Sequence, residues 1–299
     1  MMFRKFFLAS SLIFLLTLNL YSEEQKAQEE SDQQINEFSL TGYGEKGKKN
    51  WDLSGKSADI FTEVVKLKTV VGNLYGKEED VRLTADKGDF NKVDGKIHLE
   101  QNVVITTSSG TRLVTDSLDW DRKAMFVSTK DPVNIQRENM VVDAVGARGE
   151  PNLKKVALEK DVRLDIQPVD KNKPAKERII VTCDGPLEID YEKNIATFYN
   201  NVKVDRADSV MTSDKMYVYF IPSHGTNEAD KAKGLSSSLT ASKIDKMIAV
   251  GNVKIVRGEN VSYSEEATYT AFDKKIILSG RPKLIIYSTG DFKNASLGN

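Results

Sequence analysis

The chain has 299 residues, with 43 Lys and Arg against 44 Asp and Glu, for a formal net charge of −1. Charges of both signs are spread along its length and no basic block stands out, which makes nucleic acid a poor candidate partner. Two histidines (His98 and His224) and one cysteine (Cys183) remove most zinc sites, Cys–His nucleophile pairs and disulfide frameworks, so neither a metal nor a cofactor is expected.

At the N-terminus, Arg4 and Lys5 precede an uncharged apolar run from Phe6 to Ser22, followed by EEQKAQEESDQQ. A basic start, an apolar stretch and a small residue before acidic ones fit a secretory signal peptide over 1–22. The same run reaches the ~17-residue lower limit for a membrane span. Leu20 is a poor small-residue match two positions before Ser22, so a retained anchor stays open beside cleavage. No cysteine near residue 22 offers a site for lipoprotein anchoring. In both cases the body of the chain lies outside the cytoplasm. Residues 23–36, rich in Glu, Gln, Ser and Asp, read as a solvated linker.

From there the chain repeats itself. GKIHLEQNVVI begins at Gly95, KAMFVSTKDPVNI at Lys123 and KKVALEKDVRLDI at Lys154. KNIATFYNNVKVDR follows at Lys193, KMIAVGNVKIVR at Lys246 and KKIILSGRPKLII at Lys274. Each has a Lys, an apolar pair spaced by two, a polar turn and a second apolar pair. Alternation of this kind predicts strands with one buried face, and the polar turn between them a corner or hairpin. TRLVTDSLDWDRKA, RIIVTCDGPLEIDYEKNI and NVSYSEEATYTAFDKKI alternate in the same way and end in acidic turns leading into Lys. Between Phe38 and Tyr287 only Ala58–Leu67 is ambiguous, and no segment sustains a helical period. The chain is predicted to be all-β. The turns recur roughly every thirty residues, too long for a β-helix and without whole propeller blades, which suits long bent strands in an open two-sheet roll. Gln167–Glu177 and Ile221–Ser238 read as intruding loops.

The phase of each repeat gives the candidate inward residues. They are Val103, Ile105, Leu118, Trp120, Val133, Ile135, Val162 and Leu164 in the first half. In the second they are Leu187, Ile189, Tyr191, Phe198, Val202, Val204, Met216, Val218, Phe220, Val253, Ile255, Leu284 and Ile286. Alternation signals burial and not a ligand, so pattern alone favours a dry sandwich core that binds nothing. His98 reads as an outward or rim residue and Cys183 as a small buried side chain. The acidic pairs Asp119/Asp121 and Glu265/Glu266 read as solvated turn residues, and no convergent catalytic set appears.

Residues Glu37–Asp161 resemble the periplasmic lipopolysaccharide-export protein family LptC, through EFSLTGYGEKGKKNWDLSGKSADI, LTADKGDFNKVDGKIHLEQNVVI and GTRLVTDSLDWDRKAMFVSTKDPVNI. Residues Arg178–Phe292 are similar to the OstA/LptA family, through RIIVTCDGPLEIDYEKNIATFYNNVKV, KIDKMIAVGNVKI and EEATYTAFDKKIILSGRPKLII. The resemblance implies two consecutive twisted, open β-jellyrolls, over 37–168 and 177–292, docked as one elongated roll. It implies that the inward residues meet the acyl chains of lipopolysaccharide. It further implies partners in an inner-membrane export ABC transporter and in other β-jellyroll bridge proteins or the outer-membrane translocon. A β-repeat envelope scaffold or adhesin without a lipid ligand is the alternative, and an envelope enzyme acting on glycans comes last.

Overall fold

A computed structural model of the chain describes residues 31–287 apart from 45–46, 77–78, 109, 122, 125, 138–139, 151–154, 168–177, 191–192, 221–243, 271 and 274. The apolar run 6–22 therefore lies outside the described residues. Among the described residues no helix is long and apolar enough to cross a membrane.

Among the described residues all regular structure is strand. In the first half the strands are β1 (Gln33–Tyr43), β2 (Lys49–Ile60), β3 (Val64–Tyr75), β4 (Asp80–Asn91), β5 (Lys96–Thr107), β6 (Arg112–Asp121), β7 (Phe126–Arg137), β8 (Met140–Gly149) and β9 (Lys155–Ile166). The second half adds β10 (Ile179–Cys183), β11 (Leu187–Asp190), β12 (Ile195–Arg206), β13 (Ser209–Phe220), β14 (Ile244–Arg257), β15 (Asn260–Thr270), β16 (Lys275–Ser279) and β17 (Lys283–Ile285). The first strand begins earlier than the polar composition suggests, so Gln33–Asn36 belong to the sheet. Alanine and threonine in 58–67 sit in β2 and the turn after it, which resolves the ambiguous segment without a helix.

All 17 strands form one antiparallel sheet in which sequence neighbours pair. Two positions are shared by split strands. β10 and β11 both pair with β9 on one side and β12 on the other, and β16 and β17 both pair with β15. Such a meander needs only short reversals, and the acidic turns supply them. Asp121 accepts the backbone N–H groups of Lys123 and Ala124, and Asp190 that of Lys193. These side chains tie off amides that the ladder leaves unpaired.

The Asn-containing turns do something different from reversing the chain. Each lies in the middle of one strand. Gln101 and Asn102 have φ of 65° and 53°, Asn200 and Asn201 62° and 52°, Gly251 and Asn252 79° and 47°. Successive left-handed residues displace the ladder, and the register shifts between Glu100 and Val103, Tyr199 and Val202, and Val250 and Val253. Asparagine tolerates this backbone because its short amide bonds locally, and glycine because it lacks a Cβ. A bulge bends the strand that carries it, and stacked bulges crease the whole sheet.

Burial follows the crease. Val103, Val162, Val202 and Val253, each just past a bulge, are 0–1% exposed, as are Leu158 before the one on β9 and Met216 after the register shift on β13. A single layer buries side chains this completely only when its own two wings fold over them. Core clusters run from Phe38 to Leu118 and from Val133 to Val218. The second cluster crosses from β7–β9 into β10–β13, so the interior does not stop between the two halves.

Candidate functional site

The inner face is a set of rows, each contributed by strand after strand in register. Phe198, Met216, Ala249, Ala267 and Leu278 make one such row, and Val204, Met211, Ile255, Ser262 and Leu284 another. The burial along a strand has a gradient. On β5, Leu99 and Val103 beside the crease are 2% and 0% exposed, while Ile97 and Ile105 farther out are half-buried. On β9, Leu158 and Val162 are buried, and Val156 and Leu164 are half-buried. A sealed two-sheet core would stay buried along most of each inner face. Here bands of half-buried apolar side chains flank the buried line at the crease, while Thr107, Arg137, Met140 and Ile166 at the far ends of β5, β7, β8 and β9 are buried again.

The structure places the predicted residues along this gradient. Val103, Leu118, Val133, Val162, Leu187, Phe198, Val202, Met216 and Val253 are buried near the crease, and Val218 is buried farther out, in the last inner row. Ile105, Trp120, Ile135, Leu164, Ile189, Val204 and Ile255 are half-buried on the wings. Phe220 ends β13 and its side chain, like Tyr191 as a whole, lies outside the described residues. Leu284 and Ile286 are 59% and 63% exposed, at the last strand among the described residues.

Sequence phase missed the inner residues of β1–β4, among them Phe38, Leu67 and Val70, because the repeated phrase starts only at Gly95. Simple alternation would have found them. It also missed small inner residues. Ala196, Ala249 and Ala267 are buried in rows whose neighbours are Met, Val and Leu. Small side chains on one wing leave space that larger ones would fill.

The two long rims differ. At the rim formed by the starts of β5, β7, β9 and β12, the last paired inner row is Ile97, Trp120, Val127, Gly149, Val156, Ile189, Ala196, Val218 and Met247. It carries no charge. Two recesses lie there, of 540 Å³ and 560 Å³, and their walls mix the row's apolar residues with charged neighbours: Val156 and Ile189 with Lys155, Glu188 and Asp190 in one, Ile97 and Trp120 with Lys96, Asp119 and Asp121 in the other. The indole N–H of Trp120 is buried without a hydrogen-bond partner.

The described histidine and cysteine are, respectively, outside this face and inert. His98 lies on the outer face, its Nδ1 2.6 Å from Asp119 Oδ1 and its Nε2 3.0 Å from Glu100 Oε1. Those carboxylates, Asp119 first, raise its pKa above the ordinary histidine value. Cys183 is buried and desolvation pushes its thiol pKa up, which makes it a poor nucleophile. No group of metal-ligating side chains occurs among the described residues, and His224 lies outside them.

At the junction of the halves, β9 runs against β10 and β11 from Ile166↔Ile179 through Val162↔Cys183 and Leu158↔Leu187 to Lys155↔Asp190. Arg178 grips Asp165 through two guanidinium N–H groups, and the Asp161 amide donates to Asp184 O at 3.1 Å.

A one-sheet roll, creased along its middle and apolar on an inner face that stays open at the rims, defines a class of β-roll proteins rather than a packed sandwich. The lipopolysaccharide-assembly, LptC-related family matches residues 6–167, more than half of the chain, and the chain belongs to it. The LptA/(LptD N-terminal domain) LPS transport protein family matches residues 185–296. Residues 168–184, which include β10, fall between the two matches. Both families place the chain in lipopolysaccharide transport. No single curated protein matches the sequence.

Proposed function

We propose that the chain shields the acyl chains of lipopolysaccharide in its inner face and forms a segment of a bridge from the inner-membrane ABC transporter toward the outer membrane. The observation that carries this reading is the band of half-buried apolar residues beside the crease, present on β5, β9 and β14, over a buried interior that continues through the β9–β10 junction. Half-buried Ile, Val and Leu at the wings cost little to move, and covering them with hydrocarbon gains about 0.8 kcal/mol per methylene group. The sugar and phosphate head stays in water at the rim.

The ends of the sheet suit the bridge. At one edge β1 leaves Ile35 and Leu40 45% and 53% exposed, and at the other Ile276 and Leu284 are 56% and 59% exposed. Unpaired edge backbone beside apolar side chains is covered by adding a strand from another roll, which also extends the trough. Fusion of the two halves replaces one such docking step with an intramolecular one.

The test is site-specific photo-crosslinking in the full chain. Probes at Ile189, Val204 and Ile255 should capture lipopolysaccharide, while one at Lys203, on the outer face, should not. Equal capture at all four positions overturns the reading. Capture at none of the inner three, in a protein that folds normally, leaves a scaffold with a dry core.

A further inference from the structure

The rim opposite the apolar one ends in a different chemistry. Its last inner row runs by register from Arg137 to Met140, Ile166, Ile179, Arg206 and Ser209, and Arg257 follows on β14 facing Asn260. The sequence repeats the pattern: PVNIQR, NVKVDR and NVKIVR each close the second apolar pair with arginine on the inward phase. Arg137 is buried, whereas the side chains of Arg206 and Arg257 are 52% and 76% exposed.

Arg206 and Arg257 belong together. They sit on strands one apart from adjacent, about 10 Å between backbones, and both reach Asp208 in the turn between β12 and β13. Arg206 Nε is 3.9 Å from Asp208 Oδ1, and Arg257 Nη2 is 3.2 Å from Asp208 Oδ2. Ser209 Oγ also donates to Asp208 Oδ1, at 3.2 Å. One carboxylate thus holds two guanidinium groups. It neutralises one charge and leaves most of their N–H donors directed to solvent. Of the other acidic residues nearby, Asp205 pairs with Lys203 at 3.1 Å, and Glu259 is in the turn after Arg257.

We propose that Arg206 and Arg257 bind the phosphate of the carried glycolipid's head group. This fixes the lipid's orientation, with the head at the arginine rim and the tails directed toward the crease and the apolar rim. The assignment rests on the transport reading above and adds to it a site and a polarity. Guanidinium binds phosphate through parallel, charge-assisted hydrogen bonds, and placing it where the last apolar residue gives way to water matches the junction of acyl chain and anionic sugar. Asp208 holds the two side chains apart and oriented before the lipid arrives.

The experiment compares bisphosphorylated lipid A with the same lipid enzymatically dephosphorylated, each titrated against the full chain. The wild type should bind the phosphorylated form at least about tenfold more tightly, as expected for losing charge-assisted hydrogen bonds. Arg206→Gln/Arg257→Gln should erase that preference and leave affinity for the dephosphorylated lipid unchanged. Arg206→Lys/Arg257→Lys should restore part of it. Equal binding of the two lipids by the wild type, or a preference that survives in the Gln variant, overturns the proposal and leaves the transport reading standing. Retention of neither lipid sinks the transport reading itself. Inorganic phosphate at equal concentration should not displace the lipid. Displacement would assign the arginines to free phosphate and overturn the head-group assignment.

Discussion

The side-chain amide of Asn252 on β14 donates to Asp214 Oδ2 on β13, 2.9 Å away. Asn102 on β5 reaches Asp86 on β4 in the same way at 2.6 Å, and Asn201 on β12 reaches Asp184. The crease is therefore held from outside by a repeated amide–carboxylate contact and from inside by the fully buried valine that follows each bulge. Local backbone preference, a cross-strand hydrogen bond and apolar burial coincide at one point of the strand.

Asn252→Ala should accordingly cost about 1–2 kcal/mol, through a left-handed backbone that alanine disfavours and a lost hydrogen bond. Asn252→Gly should cost less, since glycine keeps the backbone. Gly251→Ala should cost more than either, because its φ is +79° and a Cβ there would lie 2.4 Å from Asp214 Oδ2. Urea denaturation midpoints of the three variants check the order.

Crease and wing should respond differently to truncation. Leu158 is 1% exposed, so Leu158→Ala should destabilise by roughly 2–5 kcal/mol through lost transfer energy and a cavity. Ile255 is half-buried and already meets water, so Ile255→Ala should cost less than about 2 kcal/mol. Its main effect should be weaker lipid retention, read as lipid co-purifying per mole of protein. A wing residue as costly as Leu158 would mean that the inner face is closed.

The outer face offers a pH-dependent contact. His98 is held between Asp119 and Glu100, and its folded-state pKa is raised. Such a group adds stability below the unfolded value near 6.5 and loses it as pH rises through the folded value. His98→Gln should therefore lower the melting temperature at pH 5.5 and have little effect at pH 9. The effect stays below about 1 kcal/mol, since the pair is solvated. The ring signal of His98, one of two histidines, should titrate above pH 6.5 by NMR.

Much of this was legible in the residues. Period-two alternation gave the all-β class and the inner phase, because a strand sends every second side chain to the same face. It did not distinguish a bend from a reversal. NNVKV and GNVKI look like hairpin turns, yet successive left-handed residues displace the ladder without turning the chain back. Nor does alternation report distance from the crease. Val253 and Ile255 are equivalent in sequence, but only the first is under the folded wings. The exposure of Leu284 goes with its place on the last strand among the described residues, which no local pattern encodes. The junction between halves was equally hidden, since it depends on β9 and β10 matching in register.

That junction yields the last prediction. Gly185 lies in the break between β10 and β11 with φ of +100°, and a Cβ there would stand 2.2 Å from the Glu159 carbonyl oxygen and 3.0 Å from the Lys160 Cα on β9. These are backbone atoms of the neighbouring strand and cannot rotate away. Gly185→Ala should push β9 and β10 apart at a cost of at least about 2 kcal/mol. The Asp161 amide, which donates to Asp184 O, should then lose protection in hydrogen exchange while the interiors of β5 and β14 keep theirs. Acid should act at the same place. Arg178 holds the Asp165 carboxyl below its ordinary pKa, so its contribution is present above about pH 4 and fades as pH falls through the lowered value. Asp165→Asn should remove that acid-sensitive part. If the halves unfold together in a single transition both in Gly185→Ala and in wild type, the junction is not the weakest line in the sheet. Two separated transitions in the variant would identify it as the joint on which a continuous trough depends.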